Sequence, residues 1–257
     1  MKNPFIFLIL IFLINSTLPA QNIIGVVDYM KVENQAEYLE VEQLWQKIHE
    51  ERIKQNNIIG WVVCQVMFNA VEDPYNFVTI SWYDSFSKLD KGIPEEILEA
   101  AYPEKTADDW KTFMERTDKS RIKLTSGVFH QRLSTNSNLD LEGKYYVINE
   151  ISVKPGKSRE YLKMEEAIYM PLHKLAIKNN NRTGWSLWAK WPGHGKNFQY
   201  LSADGYTNLD QIDEVDYVDY FNQIHPDKEL DQISEKMEEL RTLVNSEMWK
   251  IMYKSQK

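Results

Sequence analysis

Cysteine is nearly missing from this sequence: Cys64 is the single thiol in 257 residues. One thiol excludes an intramolecular disulfide framework and any zinc cluster built on thiolates. Cys64 is therefore expected to be a buried free thiol. Positive charge is also in deficit, with 30 Lys and Arg against 38 Asp and Glu and a net charge of −8. Such a surface repels phosphate backbones and anionic lipid heads, so no nucleic acid is expected as a partner. Glycine-rich phosphate loops, nucleophile elbows and C-x-x-C pairs are all lacking, which removes nucleotide hydrolysis, α/β-hydrolase chemistry and thiol redox chemistry. The five histidines, His49, His130, His173, His194 and His225, show neither H-E-x-x-H nor facial-triad spacing. The acidic run Asp210, Asp213, Glu214, Asp216, Asp219 lacks the glycine and ligand spacing of a calcium loop and fits a solvated helix face. No metal and no cofactor is expected.

Long hydrophobic runs are scarce as well. The apolar stretch from Phe5 to Ile14 follows Lys2 and ends in Asn15, Ser16, Thr17, Pro19 and Ala20. It is far shorter than the roughly 20 residues that cross a bilayer, and it has the order of a secretory signal. Residues 1–20 are expected to be a signal peptide cut after Ala20, although Leu18 stands where a small residue is preferred. The protein is then exported, periplasmic or extracellular, with no stable membrane insertion after cleavage. Hydrophobic residues at 43% and charged residues at 26% place the rest among folded globular chains.

What is present is internal similarity. Glu37-Tyr38-Leu39 recurs as Glu160-Tyr161-Leu162, Glu42 as Glu165, His49 as His173, Asn56-Asn57 as Asn180-Asn181, and Gly60-Trp61 as Gly184-Trp185. The spacing grows by one residue between Glu165 and Tyr169. Further on, Asn76-Phe77 aligns with Asn197-Phe198, and Ser81 with Ser202. A period this long indicates a duplicated domain rather than a solenoid.

Each copy carries the same succession of elements. Residues 23–32 and 145–153 are β-branched and short, as strands are. Long helices are expected over 35–55 and 157–178, with Tyr38, Val41, Trp45 and Ile48 stepping by three and four along one buried face. Hairpins follow over 58–68 with 77–83 and over 184–191 with 198–203, the second turning through Pro192-Gly193-His194-Gly195. Further helices are expected over 94–116, with Thr106 as a cap, and over 227–245, and final strands over 122–133 and 248–253. The order is βαββαβ twice, with the polar run 134–142 as linker. This gives a signal peptide at 1–20, a first repeat at 21–133 and a second at 143–257.

That succession is the ferredoxin-like unit, an α+β fold whose sheet is covered by helices on one side and needs a partner on the other. Two such tandem repeats resemble the dimeric α+β barrel superfamily, which includes antibiotic-biosynthesis-monooxygenase-like and NIPSNAP-like domains, here as an intramolecular pseudo-dimer. The resemblance implies two four-stranded sheets joined sheet to sheet and, in members that bind ligands, a pocket between long helix and sheet.

Tyr38, Glu42, Trp45, His49 and Arg52 fall on one stripe of the first long helix. A histidine near a carboxylate exchanges protons near neutral pH, and an arginine holds an anionic group, so His49, Glu42 and Arg52 are the catalytic candidates. The second copy keeps Tyr161, Glu165 and His173, puts Tyr169 for the indole, and sets Ala176 opposite Arg52, leaving the guanidinium to the first copy. Trp61, Trp185 and His130 complete the candidate ligand-binding set, with Trp185 and Leu187 on the opposite face of their strand from Ser186 and Trp188. Asn181-Arg182-Thr183 fits a glycosylation acceptor. The expected function is binding of a small, apolar or aromatic molecule. The alternatives are a cofactor-independent monooxygenase-like, isomerase or lyase enzyme, and a non-catalytic structural or interaction protein.

Overall fold

A computed structural model describes residues 22–136, 139, 141–193 and 197–257. The expected signal peptide, the turn residues His194 and Gly195, and positions 137, 138 and 140 of the linker lie outside the described residues.

Eight strands form one closed antiparallel barrel: β1 (Ile24–Lys31), β2 (Gly60–Met67), β3 (Phe77–Tyr83), β4 (Ile122–Ser134), β5 (Tyr145–Val153), β6 (Gly184–Lys190), β7 (Tyr200–Tyr206) and β8 (Arg241–Gln256). Their order around the barrel is β1-β3-β2-β8-β5-β7-β6-β4, with β4 pairing back onto β1. The N-terminal four strands thus run β4-β1-β3-β2 and the C-terminal four β8-β5-β7-β6. Two seams join them, β2 with β8 and β4 with β6. Closure leaves no unpaired sheet edge, which removes the usual route to edge-to-edge aggregation.

Alternation along the strands divides the apolar residues between two compartments. Val27, Val62, Cys64, Trp82, Phe129, Trp188, Leu201 and Trp249 fill the barrel interior. On the outer face, Ile24, Trp61, Phe77 and Tyr83 pack under the first long helix, α1 (Gln35–Lys54). Trp185, Leu187 and Tyr200 do so under the second, built from α5 (Ser158–Met164) and α6 (Met170–Lys178). Each such side chain contributes about 1.5–3 kcal/mol by leaving water. The expected split of Trp185 and Leu187 from Trp188 is the split observed, and Cys64 is a buried free thiol.

Helix α1 starts at Asn34, whose side-chain oxygen accepts from the Glu37 N–H at 3.2 Å. Between α5 and α6 lies a π-helical turn, Glu165–Tyr169, in which Met170 N–H donates to Glu165 O. A π turn spans one more residue than an α turn and absorbs the extra residue seen between Glu165 and Tyr169. Glu165 at its start and His173 beyond its end are both buried.

The remaining helices depart from the sequence expectation. The stretch expected as one helix over 94–116 is α3 (Glu95–Ala101) and α4 (Ala107–Ser120), preceded by α2 (Phe86–Lys91). The capping box of Thr106 with Asp109 starts α4 afresh. In the C-terminal half come α7 (Asp210–Asp213), α8 (Tyr217–Ile224) and α9 (Leu230–Leu240). Residues 241–245, expected as helix, begin β8, because pairing of Leu243 with Ile151 extends the ladder. The polar linker also does more than connect: Leu141 is 3% exposed within the barrel core, and Leu139 packs against it.

Candidate functional site

Four members of the stripe on α1, Tyr38, Glu42, His49 and Arg52, are buried and Trp45 is partly so, but they go to separate partners. Tyr38 stacks edge-on to Phe77 at 4.8 Å and its hydroxyl donates to Met30 Sδ. Glu42, 2% exposed, is ion-paired with Arg121, the residue that ends α4. The Trp45 indole N–H donates to Thr117 Oγ1 at 3.1 Å. His49 stacks on Trp61, ring centroids 4.4 Å apart. Its Nδ1 accepts from Arg52 at 3.2 Å, and Arg52 also donates to Asn57 Oδ1 at 2.6 Å and Tyr83 Oη at 3.0 Å.

An arginine has only donors to offer, so this contact fixes the His49 tautomer: Nδ1 carries the lone pair and Nε2 the proton. Burial, reinforced by the Arg52 charge, holds the His49 pKa well below the ordinary histidine value. His49 is a neutral imidazole across the physiological range.

The second half rebuilds this grouping with a residue the sequence comparison missed. His173 stacks on Trp185 at 4.5 Å. Its Nδ1 accepts from Arg182, which also donates to Tyr206 Oη at 2.9 Å and to Tyr217 Oη. The expectation that Ala176 deprives this half of a guanidinium is thus corrected: Ala176 is fully buried, and Arg182 reaches the same place from the loop before β6. The signal was present in Asn181-Arg182-Thr183, where the motif drew attention to the asparagine instead. Asn181 itself accepts from the Tyr220 hydroxyl at 2.6 Å.

Strand register corrects a second expectation. Tyr83 pairs with Ile24 and Tyr206 with Tyr145 at matching ends of their strands, and Ser81 lies opposite Trp61 as Asp204 lies opposite Trp185. The counterpart of Ser81 is therefore Asp204, not Ser202, and that of Phe77 is Tyr200, not Phe198. Asp204 Oδ1 sits 2.6 Å from Arg182 Nη1 and 3.7 Å from His173 Nδ1. Burial works against both charges; at Arg182 the contact with Asp204, Tyr217 and Tyr206 outweighs it and raises the guanidinium pKa. Burial and the Arg182 charge lower His173 well below its ordinary value.

Glu165 lies beside Tyr161 and Arg241 and is pushed up to about 7, chiefly by burial. Tyr169 is half-buried, its hydroxyl pKa raised by burial and by the neighbouring Glu165. His130 belongs to neither grouping: its Nε2 meets Asn22 Oδ1 at 2.6 Å, and burial, then Arg132, lower it.

These side chains occupy much of the helix-to-sheet space expected to hold the pocket, more completely at Asp204 than at Ser81. A cavity of about 80 Å³ lies instead inside the barrel, walled by Val62, Trp82, Phe129, Trp188, Leu201 and Trp249. Trp185 is the one candidate residue that also borders it. Its few polar groups include Cys64, Gln131 and Ser186. Burial raises the Cys64 thiol pKa far from the thiolate range. Among the described residues no cluster of His, Cys, Asp or Glu could hold a metal ion, and no helix is long and apolar enough to cross a membrane.

No protein-family model matches the chain, and no curated protein sequence matches it. Solved structures do. A proposed monooxygenase from Lactobacillus acidophilus NCFM superposes with a TM-score of 0.57 at 9% identity, over 92% of this chain and 96% of that one. One from Fusobacterium nucleatum subsp. nucleatum gives 0.56 at 10% identity, over 93% and 96%. A proposed chlorite dismutase gives 0.51 at 9% identity, over 91% and 96%. At such identities the likeness concerns the backbone alone: this chain shares with these proteins a mixed α+β fold closed into an eight-stranded antiparallel barrel, consistent with a dimeric α+β barrel.

Proposed function

We propose that the chain is an exported small-molecule-binding protein built from two tandem ferredoxin-like repeats, with the barrel interior as its ligand site. The observation that carries this reading is the apolar cavity ringed by Trp82, Trp188 and Trp249. A cavity near 80 Å³ is smaller than the ~150 Å³ apolar cavity known to take up benzene, so an aromatic ligand enters only as Leu139 and Leu141 yield at its wall. Xenon fits as the cavity stands. Titration of the protein with xenon and then benzene, followed by tryptophan emission, is expected to give saturable changes. Absence of both favours the third reading, a structural or interaction protein with a filled barrel. Export rests on the order of residues 1–20, and N-terminal sequencing of secreted material is expected to begin at Gln21.

A second reading, a cofactor-independent monooxygenase-like, isomerase or lyase enzyme, is favoured by the recurrence of His49–Arg52–Tyr83 as His173–Arg182–Tyr206. In it Arg52 binds an anionic substrate group and His49 donates from Nε2, the only ring nitrogen that carries a proton. Glu42 serves through its pairing with Arg121 rather than by touching His49. His49→Ala abolishes turnover of an identified substrate on this reading, and full turnover rejects it.

A further inference from the structure

Arg52 is 3% exposed and is surrounded by neutral partners, Asn57, His49 and Tyr83. Among the described residues no carboxylate pairs with it. A guanidinium does not lose its proton in a protein, and a buried charge without a counter-charge is costly. The equivalent guanidinium in the other half, Arg182, has such a counter-charge in Asp204 at 2.6 Å. The strand register puts Ser81 at the Asp204 position. Serine lacks the carboxyl group, and Ser81 is half-buried where Asp204 is 6% exposed. The first half thus has the cation, lacks the anion, and is more open at the place where the anion would lie.

The hydrogen bonds of Arg52 use three of its five N–H groups. One N–H on each terminal nitrogen is left, which matches the two oxygens of a carboxylate.

We propose that the first half binds a carboxylate at Arg52 beside Ser81, either formate or the head group of a small carboxylic acid, in the position that Asp204 fills in the second half. This site is separate from the barrel cavity, whose wall includes neither Arg52 nor Ser81. It rests on the second reading above, in which Arg52 holds an anionic group, and not on ligand binding in the barrel; the melting test reads occupancy without turnover, so a site without catalysis remains distinguishable from no site.

Thermal melting in sodium formate against sodium chloride at equal ionic strength tests the proposal, with the wild-type chain and Ser81→Asp side by side. Wild type is expected to melt roughly 5–10 °C higher in formate once formate exceeds its dissociation constant about 100-fold. Ser81→Asp, which supplies its own carboxylate, is expected to show no preference for formate. Equal midpoints for wild type in the two salts overturn the proposal, as does an undiminished formate effect in Ser81→Asp. Should that variant fail to fold, the arginine Nε–H resonances of wild type decide: saturable movement of the Arg52 signal with formate supports the site, and an unmoved signal refutes it.

Discussion

Arg52 and Arg182 meet the same kinds of partner from different parts of the chain. Arg52 projects from the last turn of α1, whereas Arg182 stands in the loop two residues before β6. Each donates to a histidine Nδ1 and to the hydroxyl of the tyrosine that ends its strand. Each histidine in turn lies flat on a tryptophan. The two groupings match although their covalent routes do not, and among the described residues only the second holds an internal carboxylate.

That difference sets the cost of losing the carboxylate. Asp204→Asn leaves Arg182 buried without its counter-charge and is expected to destabilise the chain by about 3–5 kcal/mol. Urea unfolding measures it through the midpoint at constant slope. A loss under about 1 kcal/mol would mean that the two tyrosines suffice.

Glu165 makes stability depend on pH. Its folded pKa of about 7 lies above the ordinary 4.5, so the folded state binds more protons between those values. Its contribution is fully present below pH 4.5 and is lost as pH rises through 7. The full effect is about 3 kcal/mol as an order of magnitude. Glu165→Gln is expected to flatten this part of the stability profile, measured by urea unfolding from pH 5 to 8. A profile unchanged by the substitution contradicts the assignment.

The two stacked histidines act in the opposite sense. With folded pKa values well below 6.5, both stay neutral while their unfolded counterparts gain protons, so they lower stability as pH falls below 6.5. Nuclear magnetic resonance should find the ring protons of His49 and His173 without the titration step near pH 6.5 that an ordinary histidine shows. It should also find Nε2 protonated in both. A step near pH 6.5 at either ring would show that the arginine contact does not hold Nδ1 in its neutral acceptor form.

Trp249 is 2% exposed and borders the barrel cavity. Trp249→Ala is expected to cost about 3–5 kcal/mol and to enlarge the cavity enough for benzene to restore part of the loss. Measured by thermal melting with and without benzene, a variant that benzene leaves unmoved would place the tryptophan away from the cavity.

Much of this architecture is legible in the residues. The apolar steps of α1, the alternation around Trp185 to Trp188 and the turn signals mark the strands and long helices, because burial on one face imposes a period. Even the π turn is foreshadowed by the extra residue between Glu165 and Tyr169. Strand register is less visible: Asn76-Phe77 resembles Asn197-Phe198 as text, yet three-dimensional pairing matches Phe77 with Tyr200. Arg182 could not be found by position, since its guanidinium arrives from a loop and not from the helix that carries Arg52. Leu139 and Leu141 are hidden in a polar run, and only barrel closure gives them an apolar compartment. The cavity lies inside the barrel, while Tyr38 of α1 and Trp61 of β2 belong to the separate cluster beneath the helix.

The asymmetry between the two groupings is tested most directly by a crystal structure of the full chain grown in formate. The account predicts one formate bonded to the Arg52 guanidinium beside Ser81 and none at Arg182, where Asp204 remains in place. An Arg52 bonded by an internal carboxylate, or equal occupation of both halves, would contradict it.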